Sequence, residues 1–236
     1  MADAQELPQQ HERILIAAES CFANNGFHRS TMQMVAREAG MSPGNLYRYF
    51  SSKDALIIGL VERDLAMVRA DFTQFDPQQP FWDQFSRLGE KYFNDHARMR
   101  ALLCLETWAE ACRNPAIAHI LDILHQEIIG HLEQVLEGAR QRGEVAADVD
   151  VPATIRLILT LTDGLYLQHA LKPGEDHSQI FKSAMQAIFG ILTDSRVLRH
   201  DHGHHHDHHL KPGDVDHADV RHASLCSSSC QQDVPS

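Results

Sequence analysis

The chain has 236 residues, 43% of them apolar, enough to bury a sizeable core and too apolar for a disordered protein. A formal net charge of −11 excludes a protein that coats nucleic acid, yet residues 13–53 carry Arg13, Arg29, Arg37, Arg48 and Lys53 against Glu19 and Glu38, a net +3 that leaves −14 elsewhere. A basic head on an acidic body suits contact with phosphates through one face only.

The apolar periodicity runs helix after helix. Residues 9–25 place Ile14, Ala17, Ala18, Cys21 and Phe22 at helical spacing, and Gly26 is a natural stop. Ser30 is positioned to cap a second helix to Ala39, with Gln33 closing a capping box. Gly40 makes a turn, a short helix follows from about Ser42 to Tyr49, and Ser51 and Asp54 open a long one reaching about Phe72. Beyond Pro77 and Pro80, helices are expected at 81–95, 98–112 and 115–141, with Pro115 in a first turn and Gly143 as a stop. Pro152 opens another to about Leu171, Lys172-Pro173-Gly174 ends it, and the last spans about 176–194. No run of alternating β-branched residues argues for a sheet. The expected fold is all-α, with about nine helices.

No stretch of 18 apolar residues predicts a membrane span, and acidic Asp3, Glu6 and Glu12 stand where a secretory leader would be basic. The expected location is cytoplasmic. Cys21, Cys104 and Cys112 sit in helical patterns as small core hydrophobes, and Cys226 and Cys230 lie in a polar tail, so no disulfide framework is expected. No Gly-rich phosphate loop, nucleophile elbow or His-Glu-x-x-His sequence marks an enzyme, and no catalytic residue is assigned.

The segment from Thr31 to Phe50 carries the main signal. Ala36 is small where two helices cross, and Gly40 supplies the left-handed backbone of a tight turn. Val35, Met41 and Leu46 are spaced to bury the seam, while Ser42 caps the second helix and Pro43 fits its first turn. Two short helices joined this way can set the second into a major groove. The pattern Phe22, Gly26, Phe27, Ser30-Thr31, Val35-Ala36, Ala39-Gly40, Leu46-Tyr47, Tyr49-Phe50 and Lys53 resembles the DNA-binding domain of the TetR family over residues 9–55. The remaining helices resemble that family in number and layout, to about residue 195.

The resemblance implies a helix-turn-helix domain over 1–53 and an effector-binding and dimerisation bundle over 54–197, while composition makes 198–236 an expected disordered, His-rich tail that the family pattern does not include. It implies that Thr31, Tyr47, Tyr49 and Lys53 hold DNA phosphates. Base reading falls to Ser42, Pro43, Gly44, Asn45 and Arg48, with Asn45 suited to adenine and Arg48 to guanine or a phosphate. The implied function is a repressor of palindromic operator DNA, released by a small molecule and acting as a homodimer, with no membrane partner. The helix at 152–171 carries one stripe of Ile155, Leu159, Thr162 and Tyr166 and another of Leu157, Leu161 and Leu165. Ile180, Ala184, Ala187, Ile188 and Ile191 form a third in the last helix, and in the family the last two helices make the dimer interface. Candidate effector-pocket liners are Trp82, Phe85, Phe93, Met99, Trp108, Tyr166 and His169. Asp163 joins them as a carboxylate inside an apolar helix, suited to a cationic ligand or to an internal partner. Asp163-Gly164-Leu165-Tyr166-Leu167 with Ala170-Leu171 is also similar to the C-terminal region of choline-responsive BetI-type regulators.

Residues 199–236 hold nine of the seventeen histidines. His200, His202, His204, His205, His206, His208 and His209, interleaved with Asp201 and Asp207, form a donor set for zinc, nickel, cobalt or copper, to which His217, His222, Cys226 and Cys230 add. No cofactor is required by the main reading. This tail keeps two others open: a metal-responsive regulator, and a metal-storage protein, against which the basic head counts.

Overall fold

The computed structural model describes residues 3–94 and 97–194, with side chains from Gln9 onward, and every regular element among them is an α-helix. The order is α1 (Asp3–Asn25), α2 (Met32–Glu38), α3 (Pro43–Leu46), α4 (Lys53–Thr73), α5 (Phe81–Tyr92), α6 (Ala97–Ala111), α7 (Pro115–Gln141), α8 (Val151–Leu171) and α9 (Ser178–Thr193). The all-α expectation is the fold observed. None of these helices is long and apolar enough to cross a membrane.

Helix starts are set by single side chains. Ser42 accepts from Asn45 N at 3.3 Å, Ser52 from Ala55 N at 3.1 Å and Asp150 from Ala153 N at 2.9 Å, each satisfying a first-turn donor that has no helical partner. At α2 the expectation of a Ser30 cap is corrected: Thr31 is the N-cap and accepts from Met34 N at 3.2 Å. The Ser30 hydroxyl is buried instead and donates to the carbonyls of Gly26 (2.8 Å) and Cys21 (3.0 Å). With the cap moved by one residue, Gln33 cannot close the capping box. Ser52 rather than Ser51 caps α4, and Asp54 in its first turn accepts from Asn114 Nδ2 at 2.8 Å, tying the starts of α4 and α7 together.

One core lies under α1–α3 and is built from Ile14, Phe22, Val35, Ala36, Leu46 and Leu56, all fully buried, with Leu103 of α6 and Ile117 of α7 packed into it. Gly59 allows α4 to cross α1 closely, because a Cβ there would meet Phe50 at 2.8 Å and Leu15 at 3.1 Å. A second core gathers Phe81 and Phe85, Leu132 and Leu136, Ile155 and Ile158, and Ile188 and Leu192, with Phe72 of α4 against it. α4 therefore belongs to both cores, and a shift of its axis is felt in each.

Candidate nucleic-acid interface and internal cavity

α2 and α3 meet along the expected seam, with Val35 and Leu46 fully buried and Met41 half-buried. Gly40 turns the chain between them at φ +64°, the left-handed region where a Cβ is strained. Helical hydrogen bonding runs past the end of α3, through Tyr47 N to Pro43 O at 3.0 Å and Phe50 N to Leu46 O at 3.0 Å, so the segment 43–50 is one continuous turn-rich arm.

With Leu46 turned inward, Ser42, Pro43, Gly44, Tyr47 and Arg48 stand exposed and Asn45 half-exposed. Thr31 is exposed at the start of α2, and half of the Tyr47 side chain is open to solvent. Tyr49 is half-buried against the first core. Lys53 is more occupied than its sequence position suggests: Nζ donates to the carbonyl of Phe27 at 2.9 Å and of His28 at 3.4 Å, and lies 4.5 Å from the centre of the Phe27 ring. An ammonium has three donors, so one is left for a phosphate. The N–H of the same residue, Phe27, donates to Glu106 Oε2 at 2.7 Å, so the loop before α2 is held from one side by α4 and from the other by α6. His28 continues that contact, 3.3 Å from Glu110 of α6.

Above the head, α4–α9 enclose a cavity of about 250 Å³ to which Glu19 of α1 also contributes. Of the expected liners, Phe85, Phe93, Trp108, Asp163 and Tyr166 are there. The other three are not among the lining residues. Trp82 packs edge-on against Phe189 at 4.9 Å, Met99 is 39% exposed, and the buried His169 ring lies 4.2 Å from that of His177. Asp163 is also not the buried carboxylate expected. It is exposed at the edge of the cavity, where partial burial raises its pKa and His125 lowers it.

The polar groups that sequence reasoning missed come from α4 and α6. Arg63 Nη2 lies 2.6 Å from Glu19 Oε2 and Nη1 3.4 Å from Glu12 Oε1, clamping α4 to α1. Burial pushes the neighbouring Asp64 carboxyl up to about 6 in spite of Arg63 and Arg100. Arg100 of α6 lies over the Tyr92 ring at 4.8 Å and faces the Tyr166 oxygen. Tyr92 in turn donates to Asp71 at 2.8 Å, and burial with that carboxylate raises its pKa strongly. Burial likewise pushes the Cys104 thiol up to about 12, leaving it a poor nucleophile. The Arg63-Asp64 pair, set between Leu60, Val61, Leu65 and Val68, was the available signal in the sequence.

Among the described residues, no group of three or more His, Cys, Asp and Glu side chains could hold a metal ion. The histidine cluster from His200 to His209, with His217, His222, Cys226 and Cys230, lies outside the described residues.

Comparison with known proteins agrees with this layout. Residues 14–60 match the family described as "Bacterial regulatory proteins, tetR family", and residues 83–189 match "BetI-type transcriptional repressor, C-terminal". The HTH-type transcriptional regulator UidR of Escherichia coli is 32% identical over 183 residues, covering 78% of this chain and 93% of that protein. The solved structure of Salmonella enterica GusR is 30% identical with a TM-score of 0.67, covering 78% of this chain and 95% of that one. A transcriptional regulator from Saccharomonospora viridis in complex with choline, 20% identical, superposes with a TM-score of 0.66 over 77% of this chain and 96% of its own.

Proposed function

This chain belongs to the TetR family of DNA-binding transcriptional regulators, and we propose that it is a dimeric repressor released from its operator by a small molecule held in the cavity. The observation that carries the coupling is the Arg63–Glu19 pair: both side chains line the cavity, and they join the helix that opens the head to the helix that runs from the head into the body. A molecule that fits only one arrangement of α4 shifts the population of head positions by its difference in affinity for the two. The BetI-type match over 83–189, and a relative solved with choline, support a small-molecule effector in this half of the chain.

In this reading Thr31, Tyr47, Tyr49 and Lys53 hold phosphates, and Ser42, Pro43, Gly44, Asn45 and Arg48 face the bases. The exposure of Tyr47 and Arg48 beside a buried Leu46 supports it. Dimerisation uses the outer faces of α8 and α9, where Leu167, Leu171, Ile180 and Phe189 are 41–66% exposed and nothing lies over Gly164. Large apolar side chains left open to solvent on a monomer are material for an interaction surface.

Footprinting on a duplex that the protein itself selects from a random pool tests the reading. Protection of two symmetric half-sites one or more helical turns apart is expected. An unprotected duplex, or a single half-site, contradicts it.

A further inference from the structure

Asp64 is the residue at which the cavity leaves chemistry unanswered. Among the described residues its carboxylate accepts no hydrogen bond and forms no ion pair, although it is half-buried and lines the cavity. A carboxylate in that position is costly unless something donates to it. The charged neighbours are already engaged: Arg63 with Glu19 at 2.6 Å, and Arg100 with the Tyr92 ring at 4.8 Å and the Tyr166 oxygen.

The surroundings discriminate between head groups. A cation at Asp64 would sit beside two guanidinium groups, Arg63 and Arg100. An anion at Arg100 would sit beside Asp64 and Glu19. The four side chains at this point sum to zero charge, and the remaining lining carboxylate, Asp163, is exposed at the cavity's edge and is not among the groups acting on Asp64, so either ion loses its water here without gaining a net countercharge. A hydroxyl carries no charge and offers the donor that Asp64 lacks and a further acceptor for Arg100, whose guanidinium has five N–H donors. The rest of the lining is chiefly Leu, Ile, Val, Phe and Met, which suits an apolar body.

We propose that the cavity takes an uncharged, mostly apolar alcohol or phenol whose hydroxyl donates to Asp64 and accepts from Arg100. The proposal rests on reading the cavity as the effector site. It makes Asp64 the specificity-determining residue, and it places the recognised group one residue from the Arg63 clamp on α1.

Isothermal titration calorimetry with four probes of one shape tests it: 4-butylbenzyl alcohol, 4-butyltoluene, 4-butylbenzylammonium and 4-butylbenzoate. The alcohol is expected to bind wild-type protein roughly tenfold or more tighter than each of the others, the scale of one hydrogen bond to a charged group. In Asp64→Leu the alcohol's advantage over the hydrocarbon should shrink to what the Arg100 contact alone supplies. Asp64→Asn, which keeps the side-chain shape, should give an intermediate preference and guards against a misfolded leucine variant. Tightest binding of the ammonium or the carboxylate overturns the proposal, as does equal binding of alcohol and hydrocarbon to wild type. In those cases the cavity still takes a ligand. If none of the four binds, the effector-site reading falls as well.

Discussion

Arg63 on α4 reaches Glu19 on α1 at 2.6 Å, and both side chains line the cavity. The contact is partly buried, with 20% and 26% of the two side chains exposed, so screening by water is limited. A ligand in the cavity would meet the pair that joins α4 to α1.

The pair is expected to behave as a unit. Arg63→Met and Glu19→Gln should each destabilise the fold, and the double variant should lose less than their sum, with a coupling of about 1–3 kcal/mol. Urea denaturation of the four proteins measures it. Simple additivity would mean that the clamp carries no energy.

Asp64 gives the fold a pH dependence. Its native pKa of about 6 lies above the ordinary 3.8, so the folded state holds the proton more tightly than the unfolded one. Stability from this group is complete below pH 4 and is lost as pH rises through 6. The groups acting on it are Arg63 on its own helix, Arg100 on α6 and Glu19 on α1. Asp64→Asn lacks the loss, so its advantage over wild type should grow from near zero at pH 4 to on the order of 2 kcal/mol at pH 7.5. A difference that stays constant across this range would show that Asp64 is not held in a shielded site.

How much of this was legible depended on the range of the contact. The seam of Val35, Met41 and Leu46 and the turn at Gly40 are local, fixed by spacing within one turn of chain, and they emerged where expected. The Ser30 cap failed by one position because burial of its hydroxyl under Cys21 and Gly26 is a tertiary event. The cavity was half legible. Phe85, Phe93, Trp108 and Tyr166 follow from aromatic content, but Asp64 and Arg100 depend on which faces of α4 and α6 turn toward α8. Spacing gives α4 as a long helix to about Phe72 and assigns nothing to its Arg63-Asp64 pair. Lys53 shows the same limit, since its bond to Phe27 O spans 26 residues.

Dimerisation should fail when charge is placed on the exposed apolar face. Leu167→Glu with Leu171→Glu is expected to sediment as a folded monomer and to lose operator binding, while wild type sediments as a dimer. A wild-type monomer, or a variant that still pairs, contradicts the assignment of α8 and α9.

The histidine-rich segment from His200 to His209 predicts binding of zinc or nickel to the full chain, weakening below about pH 6 as imidazoles protonate. A chain ending at residue 199 should bind neither. If metal binding to the tail regulates transcription, zinc should change operator affinity in the full chain and not in the shortened one. Equal metal uptake by both chains would remove the tail from the account.

DNA recognition by the segment from Thr31 to Lys53 is the central claim, and fluorescence anisotropy on a self-selected duplex, across a salt series, tests it most directly. Asn45→Ala with Arg48→Ala should bind that duplex no better than a scrambled one. Tyr47→Phe and Lys53→Met should weaken binding to both duplexes, and Lys53→Met should flatten the salt slope by about one unit for the phosphate lost. Unchanged preference for the selected duplex in the Asn45, Arg48 double variant would contradict the account.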